Sequence, residues 1–162
     1  MGLNSAMLGV VIQHKNVKTT DYSTIPEEVN LSLSQQFAPG TGSQQGDLVF
    51  GPDRRTLAGG ANESLDLAGG GLLDNQGNAF TPAKVRAVVI QNLSLTKILT
   101  IGDDANRFVG VPADTLPPMG KFAKDNPITG WPVTPDTGDK IKVANNAGDP
   151  ADYLVWILGT SA

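Results

Sequence analysis

His14 is the only histidine in the chain, and cysteine is absent. A transition-metal site needs several imidazole or thiolate ligands, so a lone imidazole cannot build a typical one. His14 also falls near the N-terminus, in a stretch expected to be an arm. The base of a Ser-His-Asp triad needs an ordered core position instead. It reads as a surface histidine. Asp103 and Asp104 could hold a hard cation through oxygen, but the spaced carboxylate loop of a dedicated calcium site is missing. Capping a β-turn is the expected role of that pair.

Glu63 and Asp66 stand three apart on a short strand-like run, so they point to opposite faces and make no acid–base pair. Gly40-Thr41-Gly42 and Gly69-Gly70-Gly71 are glycine-rich, yet neither leads into Gly-Lys-Ser/Thr or opens a convincing helix. A phosphate cradle needs that helix N-terminus, whereas turns need glycine for positive φ. Asn62-Glu63-Ser64 and Asn92-Leu93-Ser94 match the glycosylation triplet, but Met1 to Val17 has only a short apolar stretch, Ala6 to Ile12, with no basic residue before it, which fails as a secretion signal. These residues lead to the expectation of a non-enzymatic protein without cofactor or metal.

The elements that must position any site are short. The chain has 162 residues, a single-domain length, with 19 Gly and 11 Pro. That much Gly and Pro suits short strands joined by turns and would harm a helical bundle. Net charge is −4, and the twelve Lys and Arg form no run. Phosphate binding draws its affinity from a basic patch, so nucleic acid is not an expected partner. The apolar stretch from Ala6 to Ile12 is too short to span a bilayer, so a membrane is not expected either.

Residues 1–28 show no clean period and read as an N-terminal arm, with one strand at most. Val29, Leu31 and Leu33 alternate with polar neighbours up to Phe37, which predicts the first good strand of a domain spanning 29–162. Further short runs recur at 48–50, 64–68, 85–91, 98–101, 107–111, 121–123, 140–143 and 152–158. Gly, Pro, Asn or Asp stands in nearly every interval. Such punctuation predicts an all-β antiparallel sandwich or barrel. Val85–Ile90 reads as a central strand, with Ile98–Ile101 as its hairpin partner.

The last run is apolar on both faces: Tyr153, Val155 and Ile157 on one, Leu154, Trp156 and Leu158 on the other. A lone two-layer sandwich would leave the second set exposed, marking an interface, unless the arm or a loop of the same chain covers it. Leu8, Val10, Val11 and Ile12 of the arm are likewise apolar enough to dock on a neighbouring subunit. These seven residues are the candidate interface.

A longer pattern carries the reading further. Gly40-Thr41-Gly42-Ser43-Gln44-Gln45-Gly46-Asp47 is followed by Asp53-Arg54-Arg55-Thr56-Leu57-Ala58 and Ser64-Leu65-Asp66-Leu67-Ala68-Gly69. Asp74-Asn75-Gln76-Gly77-Asn78, Ala83-Lys84-Val85-Arg86-Ala87 and Ile101-Gly102 come next. Gly130-Trp131-Pro132-Val133-Thr134, Gly138-Asp139-Lys140-Ile141-Lys142-Val143-Ala144-Asn145 and a terminal apolar strand close the series. Over residues 40–160 this resembles the accessory (decoration or cement) proteins of tailed-bacteriophage capsids. Pro117-Pro118-Met119-Gly120 departs from the Pro-Gly-Gly frequent in that family, and the first 28 residues match none of its pattern. The resemblance implies a jelly-roll-like β-sandwich that sits on the capsid exterior and bridges major capsid protein subunits, made in the bacterial host cytoplasm. The expected partners are the major capsid protein and further copies of the chain, as a dimer or trimer. The alternative is a receptor- or glycan-binding module of a phage tail. A cupin-type enzyme would share the topology but would need several histidines.

Overall fold

The computed structural model describes residues 5–19 and 24–162; for residues 12, 14–19 and 24–30 it describes the backbone alone. The described residues form twelve strands and no helix. The last strand, β12 (Ala151–Thr160), is central. It pairs antiparallel with β4 (Leu48–Leu57) on one side and β6 (Lys84–Asn92) on the other. The free side of β6 carries β9 (Lys121–Asp125) and the two-residue β10 (Trp131–Pro132), completing a five-stranded sheet.

A four-stranded sheet holds β5 (Asn62–Asp66), β11 (Lys140–Asn145), β7 (Leu99–Ile101) and β8 (Asp114–Leu116) in that order, all antiparallel. The inward residues of both sheets meet in one core. Val88 and Ile90 of β6 and Tyr153, Val155 and Ile157 of β12 face Leu65, Leu99, Ile101, Ile141 and Val143. This is a β-sandwich, as the alternating runs and turn residues predict. Phe80, Leu67 and Phe108 fill its ends from loops. Phe80 packs on Phe50 at 5.7 Å between ring centroids, and Phe108 meets Trp131 edge-on at 6.4 Å.

Ile98–Ile101 does not pair with Val85–Ile90. It forms β7 in the opposite sheet, against β11 and β8. The links β4–β5, β5–β6, β6–β7, β8–β9, β10–β11 and β11–β12 all cross between the sheets, so most consecutive strands face each other across the core. The residues expected to turn a hairpin, Asn92-Leu93-Ser94, turn an arch instead. Asn92 is fully buried; its Nδ2 donates to the carbonyls of Lys97, Leu116 and Pro117, and its Oδ1 accepts from the Ser94 amide. At the end of β11, the buried Asn145 does the same work. Its Nδ2 donates to the carbonyls of Leu57, Ala58 and Asp149, and its Oδ1 accepts from the Ala147 amide. Arg107–Val111 is also a loop, joined to the sheet only by a bridge from Arg107 to Lys140, while Phe108 and Val111 plug the core.

The strand expected from Val29 lies within the longer β2 (Thr24–Pro39). It is paired along its length with β1 (Ala6–Thr19), from Ala6 opposite Phe37 to Thr19 opposite Thr24. The segment read as an arm, residues 1–28, therefore holds β1 and the start of β2, parts of both limbs of a long antiparallel ribbon. At its base β3 (Gln45–Gly46) runs parallel to Ala38–Pro39.

Because Asn145 satisfies buried carbonyls of two separate loops, Asn145→Ala strands them without partners. It is expected to lower unfolding free energy by about 2–3 kcal/mol. Urea denaturation should show a lower midpoint with an unchanged slope.

Candidate interaction surfaces

Residues directly opposite in an antiparallel pair share a face. The register therefore places Ala6 and Phe37, Leu8 and Gln35, and Val10 and Leu33 on one face of the ribbon, with Leu31 next along β2. The other face carries Ser32, Ser34, Gln36 and Gln13, interrupted by Met7 and Val11. At the base, the apolar face is covered by the chain's own sandwich. Phe37, Ala87 and Leu158 are buried together, and Ala6, Leu8, Val49 and Trp156 pack around them. Farther out the same face is bare: Val10 is 53 %, Leu33 58 % and Leu31 44 % exposed.

The candidate interface residues thus divide. Leu158 is buried under the ribbon base, so the exposed patch expected at the last strand is reduced to the half-buried Leu154 and Trp156. The chain's own ribbon provides that cover. Leu8 is half-buried at the junction, Val10 is exposed on the apolar face and Val11 is exposed on the opposite one. Ile12 pairs with Leu31, and its side chain lies outside the described residues, as does that of His14.

A buried arginine holds the ribbon base in place. β6 bulges at Arg86: Leu158 pairs with Ala87 and the next residue, Gly159, with Val85. A bulge re-aims the side chain of the extra residue. The Arg86 guanidinium donates to the carbonyls of Thr41 and Gly42 from Nη2 and of Pro127 and Ile128 from Nη1. Burial pushes its pKa down from the ordinary arginine value. Gly40-Thr41-Gly42 therefore turns carbonyls toward a cation, the reverse of a phosphate cradle.

A second polar cluster links the two sheets. Arg55 of β4 forks onto Glu63 of β5, with Nε to Oε1 at 2.9 Å and Nη2 to Oε2 at 3.0 Å, and its Nη1 also reaches Asp53. The buried Tyr153 hydroxyl donates to Glu63. Burial by itself raises the Glu63 pKa, but the hydrogen bonds from Arg55 and Tyr153 together outweigh it and hold the carboxyl below its usual value. Burial, then the Glu63 hydrogen bond, push the Tyr153 hydroxyl far up. A carboxyl held ionised and a phenol held protonated are poorly matched to proton transfer at neutral pH. Their geometry makes a cross-sheet tie.

The remaining polar residues singled out have local work. Asp66 lies on the outward side of β5, paired with Lys140 and accepting from the amides of Ala68 and Gly69. Asp104 accepts from the Ser64 hydroxyl and the Asn106 amide. Among the described residues, no three His, Cys, Asp or Glu side chains gather as a metal-binding group.

Two further surface features had no legible signal in the chain. Leu95, Ile98 and Met119 are exposed on two loops tied by the Met119 amide to the Ser94 carbonyl. Both loops lie near the Asn92 end of β6, level with Tyr153, whereas the ribbon base sits near Ala87, level with Leu158. The bare ribbon residues Val10 and Leu33 lie beside Ala123 and Asp125 of β9, so the two bare apolar surfaces are separate patches. On the outer side of the four-stranded sheet, Thr100, Asp103, Thr115 and Lys142 help line an open polar cleft of about 420 Å³. Comparison with family models, with curated proteins and with solved structures finds no match for the chain.

Two outcomes follow from the buried charges. The folded Glu63 pKa lies below its unfolded value of roughly 4.3. Its contribution to stability is therefore complete above that pH and is lost as pH falls through the folded value. Glu63→Gln should cost about 1–3 kcal/mol at neutral pH and flatten the acid limb of stability measured by denaturation between neutral and acid pH. Arg86→Met leaves the carbonyls of Thr41, Gly42 and Ile128 without their donor. Amide hydrogen exchange at Gln44–Asp47 should then accelerate, while that of β11 and β12 stays slow.

Proposed function

We propose that this chain is a structural virion protein, an accessory (decoration or cement) protein that binds the outside of the major capsid shell of a tailed phage and stabilises it. The observation that carries the reading is the presence of two separate bare apolar surfaces on one chain: Val10, Leu31 and Leu33 of the ribbon, and Leu95, Ile98 and Met119. Scattered exposed apolar residues are ordinary, but clustered ones mark interaction surfaces. Two such surfaces on a body cross-tied by Asn92, Asn145 and Glu63 suit a molecule that bridges. The sequence pattern over residues 40–160 points to the same class and to jelly-roll-like connectivity.

A shell repeats each contact many times, so a modest interface per copy becomes collectively strong. The net charge of −4 disfavours non-specific adhesion to nucleic acid. In this reading the loop-end patch of Leu95, Ile98 and Met119 meets the major capsid protein. The tail-module alternative draws on the polar cleft beside Thr100, Thr115 and Lys142, whose hydroxyls and charges suit sugar hydroxyls.

Co-sedimentation with undecorated capsids tests the assignment. The unaltered protein should pellet with the shells, and at raised salt as well, because the contact is apolar. Leu95→Asp combined with Met119→Asp should weaken binding about tenfold or more without changing the circular dichroism spectrum. A protein that stays in the supernatant at all salt concentrations would turn attention to glycan binding at the cleft.

A further inference from the structure

Strand register builds the floor of the polar cleft on the outer side of the four-stranded sheet. Asn62 stands opposite Ala144, Ala144 opposite Thr100, and Thr100 opposite Thr115. One row therefore crosses all four strands on the face turned away from the core. With about 4.8 Å between strands, the row is roughly 14 Å long. Lys142 shares that face of β11 two residues before Ala144, Asn146 follows the end of β11, and Asp103 and Asp114 complete the polar lining. The cleft holds about 420 Å³, within the roughly 300–1,000 Å³ of small-molecule sites. Farther along the same face the polar groups are spent on one another: Lys140 pairs with Asp66, and Ser64 with Asp104. In the cleft they are not. Among the described residues, the side chains of Asn62, Thr100, Asp103, Thr115, Lys142 and Asn146 make no hydrogen bond or ion pair within the chain.

We infer that this cleft binds a neutral saccharide. A sugar hydroxyl donates and accepts at once, so it can give a hydrogen bond to Asp103 while taking one from Lys142 or an Asn amide. A row mixing acceptor-only, donor-only and two-way groups suits neighbouring hydroxyls on one ring. Ala144 and the two threonines are short, which leaves a shallow floor for the ring's C–H face. Charge argues against an anionic ligand. Asp103 and Asp114 outnumber Lys142 in the lining, whereas phosphate or an acidic sugar needs a cationic excess. The floor is also a sheet face whose backbone groups are already paired across four strands, so an extended peptide finds no ladder to join. The site rests on the glycan alternative for this cleft, to which it gives a ligand class, and it requires nothing of the shell.

An array of neutral, sialylated and sulfated oligosaccharides provides the test. Neutral members should bind, and titrating the strongest into isotope-labelled protein should shift the amides of Thr100, Thr115 and Lys142–Ala144 while those of β6 and β12 stay in place. Asp103→Asn and Lys142→Met, neither in the core, should each weaken that binding about tenfold with the circular dichroism spectrum retained. Lys121→Met, on the other sheet, should leave it unchanged. No binding by any neutral member, equal or tighter binding of the sialylated or sulfated ones, shifts centred elsewhere, or full binding by both cleft variants would each overturn the proposal. A chain that binds no saccharide yet pellets with capsids would sink the cleft site alone. One that binds saccharide but stays in the supernatant would sink the shell reading alone.

Discussion

Tyr153, Val155 and Ile157 project from one face of β12 into the main core, while Leu158 projects from the other into the base of the ribbon. A strand with two apolar faces has to be covered twice, and that requirement organises the molecule. The four-stranded sheet covers one face and the start of the ribbon covers the other. The ribbon is therefore seated on the same strand that carries the core. A change that shifts the register of β12 would disturb both. The strand is held between β4 and β6, each of which bulges against it, β4 at Gly51-Pro52 and β6 at Arg86. Gly51 has φ +81°, and a Cβ added there would lie 2.3 Å from the Val155 carbonyl oxygen, so the bulge in β4 requires glycine.

Without disulfides, loop positions are held by buried polar side chains that satisfy several backbone groups at once. Asn92 and Asn145 each hold an arch, Arg86 holds the ribbon base, and Glu63 joins the sheets. Such groups give geometric precision because a displaced loop leaves a buried donor or acceptor unpaired, which costs more than an average hydrogen bond contributes. The result is a body whose arches and ribbon base are tied to the two sheets.

Local pattern made much of this fold legible. Alternation at 29–37, 140–145 and 152–158, together with the Gly, Pro, Asn and Asp between strands, determined an all-β chain, because side-chain period and turn chemistry are properties of neighbouring residues. The doubly apolar last strand was legible too, as was the apolar character of Leu8 and Val10. Tertiary structure alone decided which strands pair. Asn92-Leu93-Ser94 looks the same whether the chain reverses into a hairpin or arches to the facing sheet, and only the carbonyls of Leu116 and Pro117, supplied from far along the chain, select the arch. It alone decided that Leu158 is covered from within by Phe37, that Arg86 turns inward at a bulge, and that Leu95, Ile98 and Met119 share one end. Each of those outcomes depends on contacts between residues distant in sequence, which a one-dimensional pattern does not contain.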